Sequence, residues 1–197
     1  MDSKSQGTFG LSHFRNSRAS TQLWEPVYLN LFTVQMQLPA ALGASEESTN
    51  LLLEGIMKID GLVSDSFPSS PVAQYYKWAA RRFAGAKPAQ TTMDVTFDFE
   101  INVNDAHSIY SLKLLRQLND LVYDPLTGRT GIKAAYAIPW TVITLYDRSA
   151  NPLWEWKLLN AIPGSAIPAP PLSYQSEDIY RITGYTLLCD NWTESIV

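Results

Sequence analysis

Few residues in this chain have chemistry to offer, and their spacing does not organise them. There are two histidines, His13 and His107, and one cysteine, Cys189. Neither histidine belongs to a metal-binding spacing such as HExxH, and a single cysteine builds no zinc cluster. His107 lies between Asp105 and Ser108, the residue types of a hydrolytic triad. Neighbours within one helical turn rarely have the geometry that passes a proton from nucleophile to base, so a surface helix residue is the simpler reading. "TGRTG" (127–131) and "FAGAKP" (83–88) lack the GxxxxGK[ST] spacing that cradles phosphate and read as turns. The cluster "YYKWAARRF" (75–83) mixes rings and bases, as single-strand nucleic-acid surfaces do. An amphipathic helix with rings inward and bases outward accounts for the same residues.

The one concentrated set of carboxylates is Asp94, Asp98 and Glu100, within "TTMDVTFDFEIN" (91–102). Carboxylate pairs serve glycoside hydrolysis and metal binding. Here, however, the acids alternate with Met93, Val95, Phe97, Phe99 and Ile101, and a period of two is that of a half-buried antiparallel strand. A solvated strand face explains them without catalysis. No catalytic residue, cofactor or metal ligand is assigned, and the chain is read as a non-enzyme whose residues point to packing and assembly. What remains open is how a polar face with three acids and no base stays wet or finds partners.

The surrounding elements must position that strand. Residues 1–25 are rich in Ser, Gln, Asn and Thr and are expected to form an N-terminal arm, either mobile or ordered on assembly. Residues 26–197 are expected to form a single domain with an enlarged insertion at about 40–90. "PVYLNLFTVQMQLP" (26–39) reads as a strand closed by Pro39, and 40–50 as a loop. "NLLLEGIMKIDGLV" reads as a strand reaching a turn at Asp60-Gly61, with a short helix as the alternative. "SSPVAQYYKWAARRFAGAKP" is punctuated like a helix over 70–85: Ser70 as cap, Pro71 at the first position, Gly85 and Pro88 as stops. A second helix is expected over 105–122, capped by Asn104 or Asp105, with Leu114, Leu118, Leu121 and Val122 on one face. "IPWTVITLYD", "PLWEWKLLNAIP" and "EDIYRITGYTLLCDNW" then read as strands. The total is α+β or mainly β, built around a curved sheet or barrel.

Composition agrees with assembly. Of 197 residues 46% are hydrophobic, 12% aromatic and only 17% charged, low in charge for a soluble monomer. Interface cores share that bias toward rings and away from charge. A net charge of −4 argues against nonspecific nucleic-acid binding through the whole surface. One cysteine suits a reducing compartment. The first residues, "MDSKSQGTFG", show no apolar export signal, and no apolar run is long enough for a membrane helix, so a soluble cytoplasmic product and no membrane partner are expected.

The C-terminal third, "WTVITLYDRSANPLWEWKLLNAIPGSAIPAPPLSYQSEDIYRITGYTLLCDNWTE", resembles the tail tube proteins of contractile-tailed bacteriophages, which are related to the inner-tube proteins of contractile injection systems. The likeness runs through the strand Thr141–Asp147, the polar turn Arg148–Asn151, the Trp-containing strand Trp154–Leu159, the "NAxP" element Asn160–Pro163 and the last strand Ile179–Trp192. "LNLFTVQMQLP" is similar to the family's opening strand, whereas Ala40–Gln90 departs from the pattern. The resemblance implies two packed antiparallel sheets forming a barrel with a flanking helix. It implies six copies in a ring, rings stacked into a tube that conducts DNA into the host without binding it, and sheath, baseplate and tape-measure proteins as partners. The location it implies is the virion tail, assembled in the bacterial host cytoplasm. A tube terminator, a baseplate adaptor or a β-sandwich binding module on the particle are the alternatives. A channel that passes DNA must not hold its phosphates, so Asp94, Asp98 and Glu100 become candidates for lumen-facing residues, the alternative being an outer face paired with bases of a neighbour or of the sheath. Tyr75, Tyr76, Trp78 and Phe83 become candidates for contacts between subunits, because Tyr and Trp dominate interface hot spots. The alternative is a helix that simply covers the barrel.

Overall fold

The computed structural model describes residues 27–64, 92–102, 109–170, 172–175 and 178–197, and the backbone of 72–76 and 79–83. Residues 1–26 and the expected helix caps at 70–71 and 104–105 lie outside the described residues, as do His13, Trp78, His107 and Ser108.

Eleven strands and three helices make up the described chain: β1 (Phe32–Gln37), α1 (Glu46–Glu54), β2 (Ile56–Asp60), β3 (Val72–Tyr76), β4 (Ala79–Phe83), β5 (Met93–Glu100), α2 (Tyr110–Val122), β6 (Tyr123–Asp124), β7 (Arg129–Thr130), α3 (Lys133–Tyr136), β8 (Ile138–Tyr146), β9 (Pro152–Pro163), β10 (Arg181–Cys189) and β11 (Asn191–Ile196). The class is mostly β with a few helices, and every strand pair is antiparallel. The hydrogen-bonded order is β1-β8-β9-β10-β5-β2, with β11 on the other side of β9. β9 joins two halves: it pairs with β8 and β11 over most of its length and reaches β10 only through Ile162 and Pro163. One corner residue, Asn160, takes φ 53°, which Asn tolerates better than a β-branched residue does.

The inward faces of the two halves share one core. The first half gives Met36, Ile143, Leu145, Trp156, Leu158 and Trp192; the second gives Met93, Val95, Phe97, Phe99, Ile182, Tyr185 and Leu187. α2 closes this core with Leu114, Leu115 and Leu118, and is tied down by the Tyr185 hydroxyl, which donates to Asn119 Oδ1 at 3.0 Å. The Asn119 amide in turn donates to the Ser165 carbonyl at 3.2 Å. The alternation that marked 91–102 is therefore the burial pattern of β5, with five apolar side chains inward from Met93 to Ile101. At the expected Asp60-Gly61 turn the strand ends without a turn; Gly61 takes φ 85°, and a Cβ there would lie 2.2 Å from the Asp94 carbonyl oxygen.

Three expectations need correction. The barrel is not closed among the described residues: β1 and β2 terminate the strand order and do not pair, because a cleft separates their edges. The helix expected over 70–85 is a hairpin, with Val72 opposite Phe83 and Tyr76 opposite Ala79. Its segments carry Val, Phe and paired Tyr, which favour extended backbone, and the tight pairing satisfies their backbone groups locally. Finally, 40–50 is not loop throughout: 46–54 is a helix, the short helix that stood as the alternative for the start of "NLLLEGIMKIDGLV", and the strand begins only at Ile56. Ser45 caps it by accepting from the Ser48 amide at 3.2 Å, and Glu46 and Glu47 sit in the first turn where the helix dipole favours acids.

The core makes a direct test possible. Phe97→Ala empties a site with no exposed surface and is expected to cost about 3–5 kcal/mol in urea unfolding. Gln35→Ala, on the exposed face of β1, is expected to stay within about 0.5 kcal/mol. Similar losses for both would contradict this assignment of faces.

Candidate functional site

Three surfaces stand out. The first is the polar face of the second half, built by β2, β5 and β10. Asp94 is exposed there, whereas Asp98 and Glu100 are half-buried. The bases missing from β5 come from its neighbours. Register places Lys58 opposite Asp98 and Arg181 opposite Glu100. Arg181 lies 3.6 Å from the Glu100 carboxylate, and Lys58 pairs with Asp60. The hydrogen bond to Asp60, then the attraction of Asp60 and of Asp98, hold the Lys58 amine above its ordinary value. Asp98 has a structural task as well. Between Ile182 and Tyr185 the register of β10 shifts, and the Gly184 amide, at φ 74°, donates to Asp98 Oδ1 at 2.7 Å. A bulge leaves an amide without a ladder partner, and this carboxylate supplies one. Nothing local to β5 points to Lys58 or Arg181 as partners, since strand pairing alone brings them there. The face carries Asp60, Asp94, Asp98 and Glu100 against those two bases, and remains acidic.

The second surface is the β3–β4 hairpin, which forms a two-stranded sheet of its own. It carries Tyr75, Tyr76 and Phe83; of this set Trp78 lies outside the described residues.

The third was not foreseen. A cleft of about 1020 Å³ lies between the edges of β1 and β2. Phe32 and Val34 form one wall, Leu53, Ile56, Ile59 and Leu62 the other, with Ile143, Leu145 and Trp156 between them. The Trp156 indole N–H is buried and has no hydrogen-bond partner among the described residues, beside the stacked Trp154 ring at 4.5 Å. The signal for this cleft was present only in the absence of a pairing between two distant strands.

Elsewhere the polar groups serve turns. Asp147 accepts from the Ser149 and Asn151 amides, each at 2.8 Å, and from the Asn151 side chain at 2.9 Å. The Asn151 side chain, then its amide, hold the Asp147 carboxyl below the ordinary 3.8. Asp124 does the same work in "DPLTG", accepting from the Leu126 amide and the Thr127 hydroxyl. Burial pushes the Cys189 thiol up to about 12, with Asp94 and Asp190 adding to it. Among the described residues there is no group of three or more His, Cys, Asp or Glu side chains placed to hold a metal. No helix among them is long and apolar enough to cross a membrane.

No family model and no curated protein sequence matches the chain. Solved structures do. The tube-terminating cap of the anti-feeding prophage superposes with a TM-score of 0.51 at 12% identity, over 90% of this chain and 96% of that one. The sheath-tube complex of the extracellular contractile injection system PVC, in its extended state, gives 0.50 at 13% identity, over 96% and 100%. The sheath/tube terminator of that system gives 0.51 at 13%, over 88% and 99%. The likeness is one of fold. It extends over nearly the whole chain.

Two expectations follow. Asp98→Ala leaves the Gly184 amide without its carboxylate and is expected to cost about 1–2 kcal/mol, whereas Asp94→Ala stays within about 0.5 kcal/mol. Equal effects in urea unfolding would remove the structural role of Asp98. The turn at 147–151 binds the deprotonated Asp147, so its contribution is present above pH 3.8 and is lost as pH falls through the lower folded value. Carbon-detected titration is expected to give a midpoint below 3.8 that rises in Asn151→Ala; an unmoved midpoint would assign the shift to another cause.

Proposed function

We propose that this chain is a structural, non-enzymatic subunit of the tube of a contractile particle, and that copies of it form six-membered rings that stack around a channel. The observation that carries this reading is the unfinished β-structure. Among the described residues the β3–β4 hairpin pairs only with itself, and β1 and β2 each present an open edge. An isolated two-stranded hairpin is marginal in water, and open edges recruit further strands. The fold shared with a tube-terminating cap and with chains of the PVC sheath-tube assemblies supports the same reading. The hairpin, with Tyr75, Tyr76, Trp78 and Phe83, is the contact between subunits. The acidic face with Asp94, Asp98 and Glu100 lines the channel, where it repels DNA phosphates rather than holding them. Sheath, baseplate and tape-measure proteins are its partners, and the particle tail is its location.

A tube terminator is the second reading, favoured by the fact that two of these solved structures are described as a tube-terminating cap and a sheath/tube terminator. Negative-stain microscopy across a concentration series separates the readings. Hollow rods or stacked rings of uniform width are expected; rings that never stack select the terminator; particles that stay monomeric at high concentration overturn both. A helical reconstruction of the rods places the acidic face, which must line the lumen. Replacing 72–83 by a short Gly-Ser linker is expected to abolish rods while the unfolding transition remains. Rods of normal length from that variant would remove the hairpin from the interface.

A further inference from the structure

We propose that the proline-rich strap between β9 and β10 of one copy seats on the β3–β4 hairpin of a second copy of this chain. The inference rests on self-assembly as proposed above and names what the hairpin touches.

The strap, residues 164–180, forms neither helix nor strand among its described residues. Loops beyond about 12–15 residues with no structure of their own are uncommon in compact domains and usually functional. Its stems are held in place. The Gly164 amide donates to the Thr186 carbonyl and the Thr186 amide to Ser165 Oγ, each at 2.8 Å. The Tyr180 hydroxyl donates to the Pro168 carbonyl at 2.6 Å. Beyond these anchors the chain stands in water, with Leu172 91% exposed and Tyr174 fully so. Proline restricts φ to about −65°. "PAPP" (168–171) is therefore predisposed to the extended polyproline conformation, and docking it costs little further entropy.

Chemistry and placement select the hairpin as its seat. Proline-rich segments dock on surfaces rich in aromatic rings, and within this chain Tyr180 already binds a proline carbonyl in that way. Register and alternation put Val72, Tyr76, Arg81 and Phe83 on one face of the hairpin. Charge is complementary as well: 72–83 has bases, Arg81 and Arg82 among them, and no acid, whereas 164–180 has Glu177 and Asp178 and no base. The two elements are rooted at opposite ends of β5. Tyr180, whose carbonyl accepts from the Ile101 amide, precedes Arg181 opposite Glu100, so the strap leaves at the Glu100 end. The chain toward the hairpin leaves at the other end, where Gly61 lies against the Asp94 carbonyl and the Val63 amide donates to Met93 Sδ. Eight residues of strand separate those roots by about 24 Å. A strap at one end and its seat at the other meet head to tail between copies, and a head-to-tail contact repeats into a ring or a filament.

The test traps the contact with added cysteines, Cys189 being buried. Ser173→Cys, exposed on the strap, is placed in one full-length chain, and Ala79→Cys, opposite Tyr76 on the hairpin, in another. Mixed at associating concentration and mildly oxidised, they are expected to form a disulfide-linked heterodimer. Lys113→Cys, exposed on α2, is expected to trap Ser173→Cys at least tenfold less. Adding Leu172→Ser and Tyr174→Ser to the strap chain removes the two exposed apolar side chains and is expected to lower trapping at least tenfold as well. Equal trapping at Ala79→Cys and Lys113→Cys, no trapping, or trapping indifferent to the serine pair overturns the proposal. Cross-linking only within a single chain, in the doubly substituted protein, overturns it in favour of the chain's own strap. Rods without trapping overturn this inference and leave the tube reading standing; trapped dimers without rods do the reverse.

Discussion

The backbone of β9 has to satisfy hydrogen-bonding groups on both sides over twelve residues, and it does so by changing partners part-way. From Trp154 to Leu159 it lies between β8 and β11; at Ile162 and Pro163 it turns to β10. Proline there has no amide to offer, so the join to the second half is short. That single crossing decides the rest. It folds the two halves over one core, directs Trp154, Trp156 and Leu158 toward it, and leaves β1 with β8 as its one partner. Two adjacent indoles on one face fill much volume at small entropic cost, but they leave two buried N–H donors without a partner among the described residues.

Charge on the second half is organised across strands rather than along one. β5 alone shows only acids, and a reader of that strand sees repulsion. In the sheet, Lys58 and Arg181 interleave with them, and Asp98 is drawn into the backbone at Gly184. Exposed ion pairs of this kind contribute little to stability. Their effect is to concentrate the uncompensated charge near Asp94. With a Debye length of roughly 8 Å at physiological salt, such a face acts only on what comes into contact with it.

Legibility in the sequence followed the range of the interaction responsible. β5 and the α2 leucines were readable because burial on one face imposes a period that local sequence must display. The end of β2 at Gly61 was readable because only a residue without Cβ fits beside the Asp94 carbonyl. The helix at 46–54 carried its cap in "SEES" and its stop at Gly55, yet Leu51, Leu52 and Leu53 run straight into the strand Ile56–Asp60, and a continuous apolar run hides the change of period. The hairpin at 72–83 reads as a helix in sequence because ring and base positions fit either period; what decides it is pairing between Val72 and Phe83, eleven residues apart. The cleft had no local signal at all, being the space between strands that never meet.

The two open edges are not alike. β2 carries Lys58 and Asp60, and its pairing with β5 is interrupted around Met57, both devices that discourage a further strand. β1 has neither: "FTVQMQ" is uncharged, regular over its six-residue pairing with β8, and rich in residues that favour strands. A monomer leaving such an edge bare invites association, and natural sheets usually guard against it. The asymmetry therefore has a direction. Of the two walls of the cleft, β1 is the one whose backbone is prepared to receive another strand, and β2 is the one that shapes the space beside it.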